Sequence, residues 1–133
     1  LYIDALSMQM VKRPEQFQVI VTTNMFGDIV SDLAAQLVGG LGIAPSANLH
    51  PGQVGLFEPV HGSAPKYAGK GTANPMATIL TGGLMLEQLN VESAGEQLKA
   101  AVRAALAAGV RTADLGGTHR TEEVGRWIAE ALP

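Results

Sequence analysis

Two acidic side chains near the start of the sequence are spaced to share a metal ion. Asp28 and Asp32 stand four residues apart at the start of a helical pattern, so their carboxylates project from one face of the predicted helix. Two carboxylates at this spacing can bind Mg²⁺ or Mn²⁺ and leave coordination positions for substrate oxygens. Acidic residues also favour helix N-termini, and Asp28 could simply cap this helix. Asp4, just before the first predicted helix, is by itself only another capping candidate.

A segment of small residues, residues 61–75, lies between a predicted strand and a predicted helix. Small residues let backbone N–H groups approach an anionic ligand. His61 offers a ring for stacking, and Asn74 offers a paired donor and acceptor for the edge of a base. The segment is not a G-x-G-x-x-G fingerprint, and glycine and proline also punctuate ordinary loops. Its composition alone therefore indicates a structured loop.

The elements that must position these residues follow from hydrophobic periodicity. Helices are predicted over residues 5–13, from Asp28 to the Gly39-Gly40 turn, and over residues 76–89, 93–108 and 121–132. The helix over 93–108 carries a capping box of Ser93 and Glu96. Residues 17–23 are nearly all apolar or β-branched, which predicts a strand buried on both faces. A second strand is predicted over residues 54–60, after a loop over residues 41–53.

The alternation of strands and helices predicts an α/β fold with a mostly parallel sheet. Two strands are too few for a stable parallel sheet, so we expect further strands from outside this sequence or from another chain. The chain begins at Leu1, and we expect it to be a piece of a longer protein.

Composition excludes several classes of protein. The chain has 133 residues, 47% of them hydrophobic, a formal net charge of −3 and no cysteine. This apolar fraction is enough for a core and excludes disorder, and neither a disulfide framework nor a cysteine zinc site can form. The basic residues are scattered, which argues against a nucleic-acid partner. No apolar run reaches the roughly 18 residues of a membrane span, and we expect a cytoplasmic protein.

Six motifs follow one another in a fixed order, at residues 4–5, 13–17, 21–32, 39–48, 57–65 and 114–117. Together they closely resemble the β-decarboxylating dehydrogenases, the family that contains isopropylmalate, isocitrate, homoisocitrate and tartrate dehydrogenases. The resemblance implies part of an isopropylmalate-dehydrogenase-like fold, with a parallel sheet flanked by helices. Residues 1–38 would end the small, dimer-forming domain, and residues 39–133 would form the C-terminal part of the large cofactor-binding domain. A homodimer through the small domain is also implied.

The resemblance assigns roles to particular positions. Asp28 and Asp32 look like Mg²⁺ or Mn²⁺ ligands of the subunit's own site, and Asp4 resembles the aspartate lent to the neighbouring subunit's metal. The ion would chelate the substrate's 2-hydroxyl and carboxylate and stabilise the charge that develops as hydride and carbon dioxide leave. The residues that would hold NAD or NADP are Glu58, His61, Gly62, Ser63, Ala64, Lys66, Tyr67, Ala73, Asn74 and Asp114.

The catalytic Tyr and Lys of the family are expected upstream of Leu1, so no catalytic residue is expected within this chain, and the chain alone is expected to be inactive. Lys66-Tyr67 stands where NAD-using members commonly have an aspartate. A cation and a phenol can bind a 2′-phosphate, which favours NADP, and Arg120 is a further candidate. The motif that begins at Asp114 looks more like the NAD-using branch.

The substrate is left open by the residues present. The resemblance implies NAD(P)-linked oxidative decarboxylation of a malate-type 2-hydroxy acid, with 3-isopropylmalate first and isocitrate, homoisocitrate or tartrate as alternatives. Two other classes of protein remain as hypotheses: a non-catalytic nucleotide-binding subunit of the same fold, and an unrelated α/β binding module.

Overall fold

A computed structural model describes all 133 residues as five α-helices and two short strands. The helices are α1 (Ile3–Lys12), α2 (Asn24–Leu37), α3 (Met76–Gln88), α4 (Glu92–Ala107) and α5 (Thr121–Glu130), and the strands are β1 (Pro45–Asn48) and β2 (Leu56–Pro59). Short 3₁₀ turns lie at Pro14–Gln16, Pro65–Tyr67 and Ala113–Leu115. None of the five helices combines the length and the apolar character that crossing a membrane requires.

The main core joins α3, α4 and α5. Its buried members are Met76, Ala101, Val102, Ala105, Val110, Val124 and Ile128. All of them except Val110, which follows α4, come from the helical patterns that periodicity predicts. Helices α3 and α4 approach closely at Gly95, where a Cβ atom would lie 2.9 Å from the Gly83 carbonyl oxygen. This core supports the loops that precede α3 and α5.

A second, smaller cluster holds α1 against α2 through Leu6, Met10 and Val30. Around it, large apolar side chains remain exposed, including Tyr2, Val19 and Val21. The accessible surface of the chain is 8854 Å², against about 6600 Å² for a compact globular protein of this mass. Residues 1–38 therefore present apolar surface that the chain itself does not cover.

The strand predicted over residues 17–23 is wrong for this structure, in which the segment has no strand pairing. Val19 is 83% exposed and Val21 is 93% exposed. A strand buried on both faces needs neighbouring strands and covering helices, and the 133 residues supply neither to this segment.

The sheet within the chain is an antiparallel pair rather than the expected parallel arrangement. Strands β1 and β2 pair in the register Pro45↔Pro59 to Asn48↔Leu56. Strand β1 falls in the stretch predicted as a loop, so the sequence prediction missed it. The seven residues that connect the two strands are too few for a parallel crossover, which takes a dozen or more.

Three helix starts differ from their prediction. Helix α1 begins at Ile3, so Asp4 lies in its first turn and does not cap it. Helix α2 begins at Asn24, because Gly27 N donates to the Thr23 carbonyl at 2.8 Å, so Asp28 lies inside the helix and does not cap it. The capping box predicted at Ser93 is absent because α4 begins at Glu92 and places Ser93 inside the helix; the Glu96 carboxylate accepts a hydrogen bond from Lys99 Nζ at 3.0 Å.

Candidate functional site

A cavity of about 790 Å³ gathers most of the predicted cofactor-binding residues. It is bounded by the turn at residues 41–42, the loop at residues 60–74 and the turn at residues 113–114. Its volume is typical of small-molecule binding sites. The predicted cofactor residues that line it are His61, Gly62, Ala64, Tyr67, Ala73, Asn74 and Asp114. Glu58, Ser63 and Lys66 lie outside its lining.

A hydrogen-bond network fixes one wall of the cavity. Asn74 Nδ2 donates to Asp114 Oδ2 at 3.0 Å, and Asn74 Oδ1 accepts from Met76 N, also at 3.0 Å. Thr112 Oγ1 donates to the other carboxylate oxygen, Asp114 Oδ1. Asn74 therefore joins the start of α3 to the turn before α5, and each Asp114 oxygen has a donor from the chain.

Glycine at position 42 is required for this wall to pack. A Cβ atom there would lie 2.9 Å from Asn74 Nδ2 and 3.1 Å from Asn74 Cβ, and it would also meet Asp114 Oδ2. The backbone of Gly42 is held as well, because its carbonyl accepts from Ala77 N at 2.9 Å. Only a residue without a side chain fits behind the Asn74–Asp114 pair.

The start of α5 fastens the loop at residues 70–74. Thr121 N donates to the Gly71 carbonyl at 3.0 Å, and Thr121 Oγ1 donates to the Ala73 carbonyl at 2.5 Å. Arg120 Nη2 donates to the Lys70 carbonyl at 3.3 Å. These contacts hold Ala73 and Asn74 in the cavity wall.

His61 presents a nitrogen that the chain leaves without a partner. Its Nδ1 donates to the Gly62 carbonyl at 2.9 Å, and Nε2 is buried without a hydrogen-bond partner. Because the carbonyl oxygen can only accept, Nδ1 carries a proton, and in the neutral ring Nε2 is an acceptor. A ligand hydroxyl or amino group in the cavity could supply the missing donor.

Positive charge surrounds Tyr67 at the rim of the cavity. Lys66 Nζ lies 4.9 Å from the Tyr67 ring centroid, and Lys70 Nζ lies 5.8 Å from it. Both distances are within the range of cation–π contacts. The salt bridges of the chain involve only Lys99, so both ammonium groups remain free for an anionic ligand.

The three predicted metal ligands do not meet within one chain. Asp32 lines the cavity described above, Asp28 lies exposed one helical turn earlier on α2, and neither forms a salt bridge. Asp4 lies in a separate apolar groove between α1 and residues 17–22. No group of three or more His, Asp or Glu side chains is placed to hold a metal ion. Asp28 and Asp32 suit a hard cation as oxygen donors, and the assignment of Asp4 to a partner's site stays a prediction.

Sequence reasoning did not find several residues that shape the site. Gly42, Thr112 and Thr121 act through packing and through hydrogen bonds to residues distant in sequence. Lys70 lies within the predicted loop, and its spacing of four from Lys66 was the signal that could have found it. Gly42 lies within the motif at residues 39–48, but that motif does not indicate its packing against Asn74, and no comparable local signal marks Thr112.

The chain thus combines α-helices with a small sheet, and its loop segments border a cavity lined by a histidine and a fixed carboxylate. The family model described as isocitrate/isopropylmalate dehydrogenase matches residues 1–128. The chain therefore belongs to the isocitrate/isopropylmalate dehydrogenase family, and both the resemblance and the α/β fold class are confirmed.

Curated relatives and solved structures agree with this assignment. The chain is 52% identical to the 3-isopropylmalate dehydrogenase of Zymomonas mobilis over 99% of its own length and 38% of the relative's. It is 54% identical to an isocitrate/homoisocitrate dehydrogenase of Thermus thermophilus, over 98% of the chain and 39% of the relative. The crystal structure of isocitrate dehydrogenase from Methylococcus capsulatus superposes with a TM-score of 0.90 at 47% identity, covering 97% of the chain and 39% of that structure. The chain thus spans about two fifths of the length of these relatives.

Proposed function

We propose that the protein is a dehydrogenase that oxidises and decarboxylates a malate-type 2-hydroxy acid with NAD(P) and a divalent metal ion. The observation that carries this proposal is the cavity shared by Asp32 and the loop of His61, Asn74 and Asp114. A carboxylate suited to a metal ion and a loop suited to a nucleotide line the same cavity. Transfer of hydride from a metal-chelated substrate to a dinucleotide requires the two to be held next to each other. The family membership supports the same class of reaction.

The chain's own residues bind and orient the dinucleotide in this proposal. The fixed Asp114 carboxylate accepts from a hydroxyl or amino group of the adenosine half, and His61 Nε2 accepts from a second donor. Backbone groups of Gly62 and Ala64 lie at the cavity surface, where small side chains let a phosphate approach closely. The loop holds the cofactor, and the cofactor supplies the redox chemistry.

Asp28 and Asp32 would hold the metal ion, Mg²⁺ or Mn²⁺, from α2. Their four-residue spacing on one helix places both carboxylates on the same face, and oxygen ligands suit these hard cations. When bound, the ion supplies a fixed positive charge beside the substrate's oxygens. Asp4 of a second subunit would complete the ligand set, so we propose a homodimer that joins residues 1–38 of the two subunits. The exposed apolar surface of this segment supports that assembly.

NADP is the favoured cofactor in this proposal, with NAD as the alternative. The two free ammonium groups beside Tyr67 offer charge and a phenol to a 2′-phosphate. Among substrates we propose 3-isopropylmalate first, supported by relatives of that name such as the Zymomonas mobilis enzyme. Isocitrate and homoisocitrate are the alternative substrates, supported by the isocitrate/homoisocitrate dehydrogenase of Thermus thermophilus.

Metal titration and turnover test the proposal separately. We expect Asp32→Ala to weaken Mn²⁺ binding by more than about tenfold in calorimetry, since even outer partners of metal ligands contribute that much. The matched control Glu15→Ala removes an exposed carboxylate outside the cavity and is expected to leave Mn²⁺ affinity unchanged. Formation of NAD(P)H at 340 nm by the full-length protein, which would include the expected upstream Tyr and Lys, is then compared for 3-isopropylmalate, isocitrate, homoisocitrate and tartrate.

Equal Mn²⁺ affinity of Asp32→Ala and wild type would contradict the metal assignment. Binding of NAD(P) by the full-length protein without turnover of any of the four acids would favour the non-catalytic nucleotide-binding subunit.

A further inference from the structure

We propose that Thr112 is a positioning residue that holds the Asp114 carboxylate in place for the dinucleotide, an inference that rests on the proposed function. The Thr112 side chain does not line the cavity and is wholly buried. Its hydroxyl donates to Asp114 Oδ1. Thr112 therefore acts on the ligand through Asp114, without touching it.

The two oxygens of Asp114 are held by residues that lie far apart in the sequence. Thr112 lies two residues before Asp114, whereas Asn74, which donates to Oδ2, lies 40 residues away. A carboxylate has about four lone-pair sites, so each oxygen keeps acceptor capacity after these two bonds. Asp114 lines the cavity. Because both of its oxygens are held, their free lone pairs have fixed directions before a ligand binds. Such preorganisation strengthens binding because less conformational freedom is lost.

The backbone hydrogen bonds of this turn do not involve the Thr112 hydroxyl. The Thr112 carbonyl accepts from Leu115 N at 3.1 Å and from Gly117 N at 3.0 Å, and neither bond involves the side chain. Valine has nearly the same shape as threonine, so Thr112→Val removes the hydroxyl while these backbone bonds remain. The hydroxyl's contribution can therefore be isolated in a folded protein.

Calorimetric titration with NADP⁺ and NAD⁺ tests the inference. We expect Thr112→Val to weaken binding of the preferred dinucleotide by about tenfold, because the ligand must then order an Asp114 carboxylate that is no longer held in place. Thr112→Ser keeps the donor and is expected to restore affinity to within about twofold of wild type. The matched control is Thr81→Val, since Thr81 is also buried and donates within α3 to the Ala77 carbonyl at 2.8 Å. Its dinucleotide affinity should stay unchanged.

A double-mutant cycle and a crystal structure complete the test. In an Asp114→Ala background, Thr112→Val should cause no further loss of affinity, because the group it positions is gone. A crystal structure of Thr112→Val should show the Asp114 carboxylate turned from its wild-type position, and it needs no ligand.

Unchanged affinity in Thr112→Val, failure of Thr112→Ser to restore binding, or an unmoved Asp114 would each overturn the inference. Failure of the wild type to bind either dinucleotide would overturn the proposed function, and the crystal structure would then decide the positioning of Asp114 on its own.

Discussion

Replacing Gly42 by alanine should disrupt the cavity wall at its most tightly packed point. The added methyl group would lie 2.9 Å from Asn74 Nδ2 and 3.1 Å from Asn74 Cβ, both closer than ordinary van der Waals contact. The backbone cannot retreat freely, because the Gly42 carbonyl accepts from Ala77 N. The Asn74 side chain must therefore move, and this movement is expected to weaken its hydrogen bond to Asp114.

The expected loss in the free energy of unfolding follows from these contacts. Overpacking of this kind typically costs about 1–3 kcal/mol, and a hydrogen bond to a charged group contributes about 1.5–3 kcal/mol. The two effects describe one displacement of Asn74, so they do not add in full. Alanine also lowers the entropy of the unfolded chain, a gain of about 0.4–1 kcal/mol. We expect Gly42→Ala to lower the free energy of unfolding by about 1–2 kcal/mol and to weaken dinucleotide binding.

Urea unfolding followed by circular dichroism measures the first effect, and calorimetric titration measures the second. Gly62→Ala is the matched control for stability, because Gly62 lines the same cavity and a Cβ atom there meets nothing within 4 Å. Its free energy of unfolding should equal or exceed that of the wild type. If Gly42→Ala unfolds at the wild-type urea concentration and binds the dinucleotide equally well, the packing argument is refuted.

Three further predictions concern charge and helix packing. Lys66→Asp should place a negative charge beside the ring of Tyr67 and shift the affinity ratio from NADP towards NAD; titration with both dinucleotides checks this, and an unchanged ratio would contradict it. Gly95→Ala should destabilise the protein by about 1–3 kcal/mol, because position 95 lies close against α3. By contrast, a Cβ atom at Gly82 meets nothing within 4 Å, so Gly82→Ala should stabilise the protein by about 0.5–1 kcal/mol. Equal free energies of unfolding for the two variants in chemical denaturation would count against this. The hydrogen bond from Lys99, with its charge, lowers the pKa of Glu96, so the pair stabilises the fold above pH 4.5 and loses that effect as the pH falls through the lowered pKa. Because Lys99 also pairs with Glu87, Glu96→Gln is the variant that isolates this pair; the difference in melting temperature between wild type and Glu96→Gln should shrink between pH 6 and pH 3, and a constant difference would exclude the pair as its source.

The sequence predicts the helices well and the strands poorly, for a physical reason. The apolar patterns of α3, α4 and α5 mark helix faces that pack on one another. Each apolar face and the surface that covers it therefore lie within this chain. Residues 17–23 show an equally clear apolar pattern, but no partner lies within the 133 residues. Strand β1 shows no alternation, since Pro45 opens it and Asn48 closes it. Its pairing with β2 is a tertiary contact that no local pattern reports.

In the candidate site, too, the sequence predicts some residues and misses others. Motif residues such as His61, Asn74 and Asp114 are predicted from sequence, and they line one cavity in the structure. The sequence suggested that Asn74 reads the edge of a base, whereas its amide group here bonds to Asp114 and Met76. Thr112 was missed because its role depends on burial and on the direction of its hydroxyl, neither of which spacing reveals.

The loop that bounds the cavity is closed by bonds between residues far apart in the chain. Asn74 reaches 40 residues to Asp114, and Thr121 and Arg120 reach back 48 and 50 residues to the loop. Any molecule bound there is therefore coupled thermodynamically to the folding of α3, α4 and α5 as one unit. At a concentration one hundred times its Kd, it adds about 2.7 kcal/mol to the stability of that unit. Amide hydrogen exchange would slow across these helices, while α1, which contributes nothing to the cavity, would keep its own rate of opening.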